Sequence, residues 1–171
     1  GFYGHRLNLY RQTIPHAGFH VLKSWAESRS HFVFTSNVDG QFQKSGLSEG
    51  AILECHGSIH HLQNLEGFGE IWSAKNVVID VDESRFLASD PLPKDIQTGS
   101  ICRPNILMFG DYGWNPTRTR KQEQRFENWL KSIATKKLVV IEMGAGTAIP
   151  TVRNNSEHHA RLHNATLIRI N

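Results

Sequence analysis

The chain has 171 residues, with 19 Lys and Arg against 16 Asp and Glu, ten His and a formal net charge of +3. That length suits one domain with a single sizeable core, and a charge so small and dispersed argues against nucleic acid as a partner. No run is long enough to span a membrane, nothing at the amino end reads as a signal peptide, and Cys55 and Cys102 form no CxxC motif, so the expected setting is the cytoplasm, without membrane or disulfide framework.

Residues 1–12 mix aromatic and basic side chains in a pattern that suits either a helix or an ordered lid. From Thr13 the signal sharpens: Thr13 as a cap, Pro15 in a first turn, and Ala17, Val21, Leu22, Trp25 and Ala26 at helical spacing predict a helix over 15–28. HFVFTS (31–36) is β-rich and gives way to NVDGQFQKSG, a polar loop closed by glycines. AILEC (51–55) is the next strand, cut off at His56-Gly57. An apolar run ending at a polar residue and Gly is what the carboxyl end of a buried parallel strand looks like.

Residues 59–102 show weak alternation, several turn residues and no helical periodicity, which predicts a small inserted subdomain within the single domain 1–171. NILMFGD (105–111) is a further strand ending at Phe109-Gly110-Asp111, followed by a helix over 117–135 with Phe126, Trp129, Leu130 and Ile133 on one face. KLVVIE (137–142) breaks into MGAGTAIPT, a helix starts near Pro150, and ATLIRIN closes the chain as a last strand. Strands alternating with helices predict an α/β fold, a Rossmann-like, doubly wound and mainly parallel sheet. In such a sheet the five strand ends, at Asn37 to Gly40, His56-Gly57, Phe109 to Asp111, Gly144 to Gly146, and Asn171, converge on one edge. A histidine, a carboxylate, two amides and a glycine-lined helix start suit a phosphate-bearing nucleotide.

TSNVDG, AILECHGS, RPNILMFGD, KLVVIEMGAGTAIP and ATLIRIN resemble, in that order, the motifs of the sirtuin family of NAD-dependent protein deacylases. The family carries a Thr-Gln-Asn-Ile-Asp-Gly loop, a His-Gly strand end, an Arg-Pro run leading into Phe-Gly-Glu, a Gly-Thr-Ser turn and an Ile-Asn strand end. The resemblance implies that NAD is consumed as co-substrate, an acyl-lysine protein or peptide is the partner, and nicotinamide and O-acyl-ADP-ribose are released. His56 matches the general base and Asn37 the residue that orients the ribose. Asp39 and the backbone of Val38 match the nicotinamide carboxamide pocket, with Ser36 beside them where the family has Gln. Gly144 and Ala145 match the turn near the phosphates and ribose, Asn171 the residue holding the adenosine ribose, and Phe109 and Gly110 the strand end beside the acyl-lysine.

Four departures bear on these roles: Ser36 replaces Gln, Phe42 stands where many members carry His, Ala145 lacks the usual hydroxyl, and Asp111 replaces Glu. The 59–102 segment lacks the two CxxC pairs that bind structural zinc in typical members, so no zinc or other metal is expected. The family's amino-terminal strand and Gly-Ala-Gly-x-Ser phosphate loop have no counterpart here. The domain is therefore expected to be incomplete at its amino end, with low activity alone, and a partner chain or further segment would supply the missing strand. Two rival readings are an NAD glycohydrolase of the kind found in sirtuin-like defence domains, and a non-catalytic module that binds NAD or ADP-ribose.

Overall fold

The computed structural model describes residues 1–171. Its first element is a helix after all, α1 (Phe2–Gln12). No acidic residue favours its first turn, and tertiary contacts hold it instead. Leu7 is buried, Asn8 donates to the carbonyl of Ile79 at 3.0 Å, and Arg11 donates to the carbonyls of Ala74 and Val77. Lys44 Nζ donates to the carbonyls of Arg11, at 2.7 Å, and Thr13, satisfying acceptors that the helix end leaves open.

The second helix, α2 (Ala17–Glu27), starts two residues later than the sequence predicts. His16 is its cap, Nδ1 accepting from the Gly18 N–H at 3.1 Å, so Pro15 lies before the helix instead of in its first turn.

β1 (Val33–Thr35) pairs in parallel with β2 (Ile52–Glu54) in the register Val33 to Ile52 and Thr35 to Glu54. Between them lie the short helix α3 (Gln41–Lys44) and a 3-10 turn over Glu49–Ala51. β3 (Gly57–Asn64) leaves the His56-Gly57 corner at once, so the first part of the expected insertion is one long strand. It is flanked by β4 (Trp72–Ser73) and β7 (Cys102–Ile106), both antiparallel to it. The two-stranded β5 (Val81–Asp82) and β6 (Leu87–Ala88) form a separate ribbon. The principal hydrophobic cluster lies here: Leu7, Ile59, Leu62, Ala74, Cys102 and Ile106. Apolar burial of this kind contributes about 1.5–3 kcal/mol for each fully buried large aliphatic side chain.

The run 105–111 therefore does not join a parallel sheet. Its strand ends at Ile106 and pairs antiparallel with β3, with a register shift between Ser58 and Leu62 where Pro104 faces Leu62. Proline has no N–H to give the ladder, which explains a break at that point.

α4 (Thr117–Ser132) packs on β2, burying Thr119, Gln122 and Leu130. β8 (Val139–Met143) and β9 (Thr166–Ile170) form a second parallel pair, connected by α5 (Thr151–Leu162). Within that pair Arg169 is hydrogen-bonded to the buried carboxylate of Glu142 directly opposite. The parallel content is thus two ladders, β1-β2 and β8-β9, each with two unpaired edges. Both ladders and the aromatic face of α4 border one cavity of about 890 Å³. No helix is long and apolar enough to cross a membrane.

Candidate nucleotide-binding site

The parallel register of β1 and β2 continues one residue past the strands, where Cys55 N–H donates to the Thr35 carbonyl at 2.9 Å. The chain leaving β1 as Ser36-Asn37 therefore runs beside the chain leaving β2 as Cys55-His56. Ser36 and Asn37 line the large cavity, and so do Gly144 and Ala145 at the end of β8. Fold and register bring these four sequence candidates to one space. Val38, Asp39, His56, Phe109, Gly110 and Asn171 lie outside its lining.

His56 occupies the turn between β2 and β3 and is half-buried. Burial pushes its pKa below the ordinary value of 6.5, so the ring is neutral at pH 7 and able to accept a proton. Gly57 fixes the corner: its φ is +78°, and a Cβ there would stand 2.0 Å from the carbonyl oxygen of Asn105. The His56 carbonyl in turn accepts from Leu107 N–H at 3.0 Å, which ties this corner to the segment leading to Phe109.

The Asn37 backbone N–H donates to Thr35 Oγ1 at 3.0 Å, while its side chain is exposed. Asp39 Oδ1 accepts from Gln41 N–H at 3.0 Å and so starts α3, leaving Oδ2 as the freer oxygen. Val38 is anchored at its carbonyl, which accepts from Ile59 N–H at 3.0 Å, and its side chain packs against the hydrophobic cluster.

At the end of β8, Gly144 has φ +63° and open space where a Cβ would sit. Its N–H donates to Ile170 O at 3.0 Å, so that donor is already engaged within the β8-β9 ladder. The unengaged N–H groups of the turn belong to Ala145 and Gly146, just ahead of α5. Such donors before a helix start suit a phosphate. Asn171 follows β9 and is exposed; with its amide oriented to satisfy both neighbours, it accepts from Arg153 Nη2 at 3.1 Å. Arg153 also donates to the Ala145 carbonyl at 3.4 Å, linking the turn to the last residue.

Phe109 is 89% exposed on a turn after β7. Asp111 shapes that turn by accepting from the N–H groups of Met108 and Gly113 and from Arg103 Nη2 at 2.8 Å. The turn offers an aromatic platform one hydrogen bond removed from His56.

Two residues escaped the sequence reading. Arg153 had a signal, since a cation in the first turn of a helix opposes the helix dipole and invites another reason for being there. His60 had none beyond its place in a His-His pair, yet its Nε2 lies 2.9 Å from the Asp39 carbonyl. No group of three or more His, Cys, Asp or Glu side chains converges in a way that could hold a metal ion.

Parallel ladders with a polar loop, a histidine corner and a glycine turn at their carboxyl ends define an α/β protein. Residues 1–140 match the Sir2 family, and the chain belongs to that family, the sirtuins. The match stops short of Gly144, Ala145 and Asn171. An NAD-dependent protein deacetylase of Shouchella clausii (strain KSM-K16) is 29% identical over 111 residues, which is 64% of this chain and 40% of that relative. The chain thus spans less than half the length of this relative.

Proposed function

We propose that this chain carries the NAD-side chemistry of a protein lysine deacylase, taking an acyl-lysine peptide and releasing nicotinamide and O-acyl-ADP-ribose. The observation that carries this reading is the parallel register by which Ser36-Asn37 and Cys55-His56 leave the same end of the β1-β2 ladder, with Ser36, Asn37, Gly144 and Ala145 lining one cavity. A cavity of about 890 Å³ is within the range of ligand sites, and the free N–H groups of Ala145 and Gly146 suit the phosphates of NAD.

In this reading the acyl oxygen attacks the anomeric carbon as its bond to nicotinamide breaks, and His56, neutral at pH 7, then takes the proton from a hydroxyl of that ribose. Asn37 orients that ribose, while Asp39 and the Val38 N–H hold the nicotinamide carboxamide. Ser36, Gly144 and Ala145 border the phosphates and ribose, Asn171 the adenosine ribose, and Phe109 and Gly110 the acyl-lysine peptide. The 59–102 subdomain is held by the apolar cluster under α1, without zinc. The cavity between the unpaired edges of β1 and β8 is where one further strand, from a partner chain or another segment, would complete the sheet. Without that strand the chain has low activity.

The test is nicotinamide release from NAD with and without an acetyl-lysine peptide, by this chain and by a longer polypeptide containing it. Peptide-dependent release supports the deacylase. Peptide-independent release favours the glycohydrolase. Binding of NAD without release from either protein leaves the non-catalytic module.

A further inference from the structure

The loop from Asn37 to Gly40 carries three residues of the proposed site, yet it belongs to no ladder. What holds it is β3, through two consecutive residues. Ile59 N–H donates to the Val38 carbonyl at 3.0 Å, and one residue later the His60 ring reaches the Asp39 carbonyl at 2.9 Å. A carbonyl only accepts, so His60 Nε2 carries the hydrogen of that bond. The same ring covers the next residue: Gly40 has φ +68°, and a Cβ there would stand 2.6 Å from His60 Cδ2. The imidazole thus fills the space above a glycine that the turn requires, and bonds the peptide unit immediately before it.

We infer that His60 is a positioning residue for the nicotinamide side of the site, an inference that rests on the function proposed above. Its bond fixes the plane of the Asp39-Gly40 peptide and so the direction of the Asp39 side chain. Oδ1 of that side chain is engaged with Gln41 N–H, which leaves Oδ2 for a carboxamide.

The experiment compares His60→Phe, which fills the space but cannot donate, with His60→Gln, which restores a donor of similar reach. In the full chain, amide hydrogen exchange at Ile59 and Gln41 is expected to quicken at least tenfold in His60→Phe and return toward wild type in His60→Gln, while Leu53 is unchanged. Calorimetric titration is expected to show NAD binding weakened about tenfold in His60→Phe, the loss of roughly one hydrogen bond, with ADP-ribose binding unmoved. Unchanged exchange in His60→Phe overturns the anchoring. Altered exchange with NAD and ADP-ribose weakened equally, or with neither weakened, overturns the positioning role and leaves His60 structural. If the wild-type chain binds neither ligand, the proposed function is what fails and the positioning role fails with it, while the exchange data still report on the loop.

Discussion

Arg118 of α4 and Glu54 of β2 form a buried ion pair, Nη2 to Oε2 at 2.5 Å, with side chains 12% and 1% exposed. Gln122 and Thr119 complete the arrangement: Gln122 accepts from the Glu54 N–H and donates to its carboxylate, and Thr119 donates to its carbonyl. Every polar contact of β2's last residue with α4 is thus made two positions before His56.

Arg118→Ala is expected to destabilise the fold by about 3–5 kcal/mol, because it leaves the Glu54 carboxylate buried without its charge partner. Urea unfolding measures this. A companion Arg118→Ala, Glu54→Gln protein should regain part of the loss; if it does not, packing of the Arg118 stem and not charge accounts for the effect.

Gly57→Ala is expected to cost at least about 2 kcal/mol, from the left-handed backbone together with the 2.0 Å approach to the Asn105 carbonyl. Gly144→Ala has the same sign of φ but open space around it, so it should cost only about 1–2 kcal/mol. Thermal unfolding of the two variants side by side checks the difference. Equal losses would show that the carbonyl contact contributes nothing.

His56→Ala is expected to lower steady-state turnover by about 10²–10⁴-fold and leave NAD affinity within threefold, the signature of a lost general base. For the wild type, burial lowers the His56 pKa, so the acid limb of kcat/KM should have its midpoint below 6.5. A midpoint above 6.5 would show that a group other than a buried His56 sets the acid limb.

Stability should fall as pH drops from 6.5 to 4. His61 is held near a pKa of about 4, first by burial and then by Arg118, against an ordinary value of 6.5. Its depressed pKa means that between those values the unfolded chain binds a proton that the folded chain refuses. The contribution is fully present above pH 6.5 and lost progressively on acidification, on the order of 3 kcal/mol from this residue. His61→Phe, measured by urea unfolding at pH 7 and pH 4.5, should flatten the dependence; an unchanged slope would assign it to His56 and His159, whose pKa values burial also lowers from 6.5.

Local pattern sufficed for the runs that became β1, β2, β8 and β9, for the helices near 117 and 150, and for the family motifs, because alternation and helical spacing report which face a segment buries. The sequence by itself also determined that Gly follows His56, and hence that the strand turns there. Pattern does not report which element a segment meets. Tertiary structure alone decided that the 105–111 run pairs antiparallel with β3, since pairing depends on the facing edge and on where Pro104 withholds an N–H. It alone made α1 a helix, by lending it Leu7 burial and the Arg11 and Lys44 bonds. The Gly144 N–H is engaged with Ile170 and His60 bonds the Asp39 carbonyl, both across long stretches of sequence. Hydrogen-bond partners of that kind belong to the folded chain, and no residue's identity announces them.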